Sequence, residues 1–224
     1  MLWVCPFVSP DSDVFRELEK KGAFMLDEKE KPAMVRWWNG VSAVLDLTKS
    51  EGDKWFKGQL DKLIYEYGVD GFKLDAGDSR FYKGIKSSKK ITPNQHTELF
   101  AKVGLEYPFN EYRATWKMGG QPLVQRLHDK SHDWTDLRKL IPQMLLEGIM
   151  GYPFSCPDMI GGGQFTSFLN DSPIDQELVV RSTQVHALMP MMQFSVAPWR
   201  ILDKKHFKAV LEAVDLRGEF KNII

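Results

Sequence analysis

The sequence has no surplus charge of either sign. Its 30 Lys and Arg are matched by 30 Asp and Glu, and the pI is near 7.0. Nothing in that balance suggests a nucleic-acid or anionic-membrane surface, which needs a basic excess on one face, so the expected partner is small and uncharged. There are two cysteines, Cys5 and Cys156. They lie far apart in apolar segments and are too few for a disulfide framework; both read as buried thiols, with no implication for compartment. No run is long and apolar enough to cross a bilayer. Leu2 to Phe7 is too short for a signal peptide and lacks its basic flank. The chain reads as soluble, with its compartment left open. A G-x-G-x-x-G after the first strand, which a dinucleotide-binding fold needs, is missing, as are tandem repeats and low-complexity linkers. The length suits one large domain.

What the sequence does have is aromatic content, at 12%, and charge where a buried strand should carry none. Gly68 to Asp78 reads Gly-Val-Asp-Gly-Phe-Lys-Leu-Asp-Ala-Gly-Asp. In a strand over Val69 to Leu74, alternation puts Phe72 and Leu74 on one side and Lys73 with Asp75 on the other. Core strands of parallel α/β sheets are usually continuous Val/Ile/Leu runs, and an unpaired buried charge costs several kcal/mol or shifts its pKa. A barrel strand whose carboxyl end opens into a pocket accepts such residues. Asp75 is therefore the first candidate for chemistry. The plainer reading is a structural Lys–Asp pair, or a helix N-cap at Asp75 or Asp78.

Strand-like and helix-like segments alternate along the chain. Leu2 to Phe7 is followed by a helix capped at Asp11 or Ser12 and stopped at Gly22. Ala23 to Leu47 is an excursion of short extended pieces, with a turn at Trp37-Trp38-Asn39-Gly40 and a strand from Val41. A helix over Ser50 to Tyr67 ends at Gly68 and delivers the chain into the Val69 strand. Ala76 to Ile91 is a loop above the strand end, where loops shape pockets. There follow a helix from Thr92 to about Gly104, strands Glu111 to Trp116 and Leu123 to Leu127, and a helix whose face is Trp134, Leu137, Ile141, Leu145 and Gly148. The remainder is a strand at Tyr152 to Cys156, a Gly-rich loop at Pro157 to Ser172, a helix at Ile174 to Met189, a last strand at Met192 to Val196 and a last helix at Asp203 to Val214. About six β/α units, led by Leu2, Val69, Glu111, Leu123, Tyr152 and Met192, imply a parallel sheet. The expected fold is α/β, a (β/α)8 barrel apparently lacking its first two strands, with residues 1–224 forming one partial catalytic domain. An open doubly wound sheet is the alternative.

A second charged cluster, Arg126 to Trp134, falls at the end of the Leu123 strand. Asp75 and Asp129 on different strands are the equipment of a retaining glycosidase, one attacking the anomeric carbon and the other protonating the leaving oxygen. Their carboxyl groups would stand about 5–5.5 Å apart. The nucleophile would stay ionised beside Lys73 or Arg113, and the acid would be kept protonated in a drier pocket. Plainer readings make Asp133 a helix N-cap and His128 and His132 solvated loop residues; a metal site from His128, Asp129 and His132 is a weaker third.

These residues together resemble glycoside hydrolase family 31. Asp70-Gly-Phe-Lys-Leu-Asp75-Ala-Gly is similar to that family's nucleophile motif, and Asp129 with Trp134 five positions on is similar to its acid/base motif. Trp38 in Trp-Trp-Asn-Gly, Arg113, Asp158 in Pro-Asp-Met-Ile-Gly-Gly, and Arg181 with Gln184 and Pro190 follow in the family's order over essentially the whole chain. Within the family, Gly-Tyr-Pro-Phe and Met-Gln-Phe-Ser followed by Pro-Trp-Arg look most like the α-galactosidase-like branch. The resemblance implies a retaining α-glycosidase acting on α-galactosides, needing neither metal nor organic cofactor. Asp75 would be the nucleophile and Asp129 the acid/base, while Trp38, Lys73, Arg113 and Asp158 would line the sugar subsite. For Trp38 the plain alternative is a core aromatic; for Arg113 and Asp158, an ion pair behind the site. α-Glucosidase branches typically have an aromatic where Lys73 stands and a His near Ser195, which disfavours a glucose-shaped pocket; α-glucosidase and α-xylosidase are the alternative specificities. The family's first strands supply a sugar-binding carboxylate, and its flanking β-domains help close the site. Neither is in this chain, so a non-catalytic barrel fragment that binds sugar or acts as a scaffold is the competing reading.

Overall fold

The computed structural model describes residues 1–163 and 174–224. The chain divides into two compact units, Met1–Leu123 and Val124–Ile224. In the first, three strands run parallel, β1 (Leu2–Val4), β5 (Gly71–Leu74) and β6 (Phe109–Tyr112), with Leu2 opposite Phe72 and Gly71 opposite Phe109. Between β1 and β5 the excursion folds into its own antiparallel sheet of β2 (Phe7–Val8), β3 (Met34–Trp37) and β4 (Gly40–Val44). The β3–β4 hairpin turns at Trp38-Asn39, where Gly40 has φ 94°, a conformation that glycine adopts without a Cβ penalty.

Helices in this unit begin and end at the signals in the sequence. Helix α1 (Asp13–Lys20) is capped by the Ser12 hydroxyl, which accepts from Phe15 N. Helix α2 (Ser50–Tyr67) ends on Gly68 at φ 65°, and α3 (Pro93–Val103) starts with a capping box between Thr92 and Gln95. The Ala76 to Ile91 loop is tied down. Buried Asp46 accepts from Thr48 N, Thr48 Oγ1 and Ser88 N, and Phe81 and Tyr82 join a buried cluster with Phe7, Met25, Ala33, Val44 and Ala76. Asp75 thus leads directly into the core through Ala76.

The second unit pairs β7 (Val124–Arg126) with β8 (Phe154–Cys156), in parallel, and adds α4 (Trp134–Ile149), α5 (Gln176–His186) and α6 (Lys204–Glu219). Aspartates 133, 175 and 203 cap these three helices, each accepting a backbone N–H. Its core packs Ile160 against Val179, Val180 and Val210.

Five of the six segments expected to lead β/α units are strands. The sixth, Met192 to Val196, is a single parallel bridge between Ile160 and Phe194, flanked by Ile160 N to Gln193 O and Ser195 N to Ile160 O. The face of α4 also differs from its reading. The helix buries Leu140, Met144 and Glu147, while Ile141 and Leu145 are exposed. Apolar residues occur all round this helix, so their periodicity does not single out the inward face. The Gly-rich segment expected to reach Ser172 is described only through Gly163. Cys156 is buried and Cys5 half-buried.

Glu147 on that inward face is 8% exposed, and burial raises its carboxyl from 4.5 to about 8. The folded protein therefore holds a proton that the unfolded chain releases above about 4.5, so stability falls as pH rises from there to about 8 and then levels off. Glu147→Gln removes that fall. Urea unfolding should show the variant gaining on the parent by roughly 3 kcal/mol between pH 5 and pH 8.

Candidate active site

Parallel pairing puts side chains of matched residues on one face. Trp3 is matched with Lys73, and Lys73 with Glu111, so a ring, an ammonium and a carboxylate stand abreast on three strands. Two residues on in each chain segment come Cys5, Asp75 and Arg113, past the last ladder pairs. Lys73 Nζ lies 3.0 Å from Glu111 Oε1, and Glu111 is only 1% exposed. The Lys73 head is sealed from solvent, so its ion-pair partner is Glu111 and the side chain meets the surface through its stem. The cation on Asp75 is instead Arg113, whose Nη1 is 3.5 Å from Asp75 Oδ1 and whose Nη2 is 2.6 Å from Asp78 Oδ2. Trp3 Nε1 donates to Asp75 Oδ2 at 2.9 Å.

The backbone holds Asp75 as firmly as the side chains do. Asp75 N donates to Val4 O at 2.9 Å. Ala76 and Gly77 then turn at φ 60° and 73°, and Thr97 Oγ1 donates to Gly77 O at 2.8 Å. A Cβ on Gly77 would come within 2.3 Å of the Phe100 ring, so this turn needs glycine for space as well as for φ. Asp78 starts the short turn at Ser79–Tyr82 without a side-chain cap bond; its carboxylate goes to Arg113. Burial pushes the nearby Cys5 thiol up to about 11.

Trp38 is 65% exposed at the hairpin tip, which removes the core-aromatic reading. Its ring stands edge-on to Trp3 at 5.8 Å and to Trp37 at 5.4 Å, and Trp3 stacks on Trp37 at 5.9 Å. Trp38 therefore joins the ring that holds Asp75.

In the second unit, Arg126 at the end of β7 organises Asp129 and Asp158. Its Nη1 donates to Asp129 Oδ1 at 2.7 Å and to Asp158 Oδ1 at 3.2 Å. Arg126 and Asp158 are both buried, whereas the Asp129 side chain is 40% exposed. The drier pocket expected for Asp129 is not built by these neighbours. Asp158 sits at φ 69°, a conformation uncommon outside glycine and costly to hold, and its Oδ2 accepts from Lys130 N at 3.2 Å. Lys130 Nζ donates to Pro157 O at 3.0 Å and meets His186 Nε2 at 3.1 Å. His186 Nδ1 faces the carbonyl of Ser182 at 2.7 Å, which assigns its proton to Nδ1 and leaves Nε2 as the acceptor. Burial lowers Lys130 to about 8 and His186 to about 3. A Cβ on Gly163 would stand 2.9 Å from both Asp129 Cβ and Asp158 Oδ2, so that glycine lets the two loops close.

Among the described residues no group of three His, Cys, Asp and Glu is placed to hold a metal. His132 is partly buried, and burial lowers its pKa. Asp133 is the cap of α4, as the plainer reading had it. Arg181, on α5, pairs with Glu177 and donates to Gln184. Trp3 and Glu111 escaped the sequence reading, which named Arg126 and Lys130 only as members of the second charged cluster. Only strand register exposes the first two, because they become meaningful when set beside Lys73 and Asp75.

Parallel strands followed by helices, with charged side chains gathered past the strands' carboxyl ends, are the pattern of a (β/α) barrel domain. The sequence matches the Glycosyl hydrolases family 31 TIM-barrel domain over residues 1–220. The chain belongs to glycoside hydrolase family 31. It is 37% identical over 214 residues to the myogenesis-regulating glycosidase of Mus musculus, covering 89% of this chain and 29% of that protein. It is 28% identical over 207 residues to the SITS-binding protein of Tetronarce californica, covering 87% and 29%. The solved family 31 sulfoquinovosidase from E. rectale, in complex with an aza-sugar inhibitor, superposes with a TM-score of 0.83 at 22% identity, covering 99% of this chain and 36% of that one. The chain thus spans under a third of the length of these two curated relatives.

Replacing Asp158 tests the Arg126 arrangement. Asp158→Ala leaves buried Arg126 with one carboxylate fewer and takes the acceptor from Lys130 N. It should cost about 3 kcal/mol. Asp158→Asn keeps an acceptor oxygen and should cost clearly less, the order being read from urea midpoints.

Proposed function

We propose that this chain carries the double-displacement chemistry of a retaining α-glycosidase, with α-galactosides as the preferred substrates. The reading rests above all on Asp75, whose two oxygens meet Trp3 Nε1 and the Arg113 guanidinium. A carboxylate held from both sides is aimed and charged before substrate arrives, as a nucleophile must be. Asp75 attacks the anomeric carbon while Asp129 gives its proton to the departing oxygen. The aglycone leaves as an alcohol, and the sugar stays as an ester on Asp75. Water then attacks the same carbon, Asp129 takes its proton, and the sugar departs with its original configuration. The exposure of Asp129 suits a group that must meet first a leaving group and then water.

Trp38 and Trp3 offer ring faces and edges to the sugar, and Arg113 donates to a hydroxyl while holding Asp75. Lys73 borders the subsite through its stem, and Asp158 acts through Arg126. The preference for α-galactosides is supported by Lys73 standing where α-glucosidase branches typically have an aromatic. No step calls for a metal or an organic cofactor.

Aryl α-galactoside, α-glucoside, α-xyloside and α-N-acetylgalactosaminide, assayed on this chain and on a longer version of the protein, test both reaction and sugar. Galactoside turnover should lead. Asp75→Asn should lower it by about 10⁴-fold or more while sugar binding persists; undiminished hydrolysis by that variant defeats the mechanism. Asp129→Ala should keep most of its kcat/KM on dinitrophenyl glycosides and lose it on alkyl ones, since only the latter need a proton on the leaving oxygen, while kcat falls on both because the water of the second step loses its base. Binding of sugar without turnover by either version would favour the non-catalytic reading.

A further inference from the structure

Lys130 follows Asp129 directly, yet its side chain turns away into the fold, and the bonds it makes there are reciprocal. Its ammonium donates to the carbonyl of Pro157, and its backbone N–H donates to the carboxylate of the next residue, Asp158. Each segment therefore holds the other by one side chain and one main-chain group. Gly163 N adds a third tie by donating to Lys130 O at 3.1 Å. A Cβ on Gly162, at φ 84°, would approach that same oxygen to 2.6 Å, so the two loops are in close contact as well as bonded. His186 on α5, fixed by Ser182 O, receives the ammonium from behind.

We propose that Lys130 is the positioning residue for Asp129, fixing the acid/base by locking its loop to the segment that carries Asp158. Asp129 is two-fifths exposed, with Arg126 on one oxygen, and its Cα and Cβ lie close against Gly163. The residue beside it, Lys130, is anchored at both its main chain and its head. The inference rests on the glycosidase reading, because it assigns Lys130 a role through the acid/base of that reaction. It also predicts a signature that general loosening of the fold would not give. Proton donation to the leaving oxygen depends on the placement of Asp129, whereas attack by Asp75 on a substrate with a good leaving group does not.

The test compares Lys130→Met, which keeps length and loses the donors, with Lys130→Gln, which keeps a shorter donor. Each is assayed on the sugar preferred by the parent, once as the dinitrophenyl and once as the methyl α-glycoside. We expect Lys130→Met to lose roughly ten- to a hundredfold in kcat/KM on the methyl glycoside and about threefold or less on the dinitrophenyl one, in the direction of Asp129→Ala. Lys130→Gln should fall between it and the parent. Should Lys130→Met not fold, the same selective loss in Lys130→Gln decides the matter. Equal losses on both substrates, or none, overturn the proposal. If Asp129→Ala itself shows no leaving-group dependence, or the parent turns over neither substrate, the glycosidase reading falls and this proposal with it.

Discussion

Each unit answers the same electrostatic problem in the same way, with one guanidinium set between two carboxylates at the end of a parallel strand. Arg113 lies between Asp75 and Asp78, and Arg126 between Asp129 and Asp158. The need is physical. A carboxylate removed from water costs several kcal/mol unless donors replace its hydration, and a planar guanidinium with five N–H groups serves two such groups at once. Carboxylates can then be held at the rim of a core without unfolding it. The same pairing explains why neither arginine is free to wander, since each answers two anions from different points of the chain.

How far this was legible in the sequence depends on the distance over which each signal acts. Caps and stops are local, and Ser12, Gly68, Thr92 and Asp133 can be read directly. The charged strand end at Lys73 and Asp75 is also local, because alternation alone sets both side chains on one face. The partners of those charges are not local. Lys73 reads as a companion of Asp75 until register brings Glu111 beside it, and Trp3 reads as an ordinary strand aromatic until β1 is paired with β5. The α4 face was misread because Ile141 and Leu145 keep helical spacing yet point outward, while a carboxylic acid, Glu147, points in. Met192 to Val196 has the composition of a strand but makes one bridge only. Composition does not report how many neighbours a segment finds.

The backbone shows a further regularity that composition hides. Ala76 and Gly77 follow one acid, and Asp158, itself left-handed, faces the other. Such conformations cost of order 1–3 kcal/mol in non-glycine residues and persist where the surroundings over-determine them. Here the surroundings do so: Ala76 is locked in the core beside Phe81 and Tyr82, and Asp158 is bonded to Arg126 and Lys130. Strain is carried at the turns that aim the acids, and packing away from them sustains it.

The two acids differ in a way that matches an unequal division of labour. Asp75 meets the Trp3 N–H and the Arg113 guanidinium, one on each oxygen, and its main chain is bonded to β1. A group that must form and release a covalent bond at one carbon gains from such immobility, because a misplacement of about 1 Å can cost a hundredfold in rate. Asp129 accepts from Arg126 through one oxygen and its side chain is two-fifths exposed, which suits a group that exchanges protons with whatever arrives. Its freedom has to be bounded from the main chain, since a carboxylate packed on every side could not reach both a leaving oxygen and a water. The tie from Lys130 to Pro157, made by a buried side chain, limits where Asp129 can stand without occupying the space in which it would work.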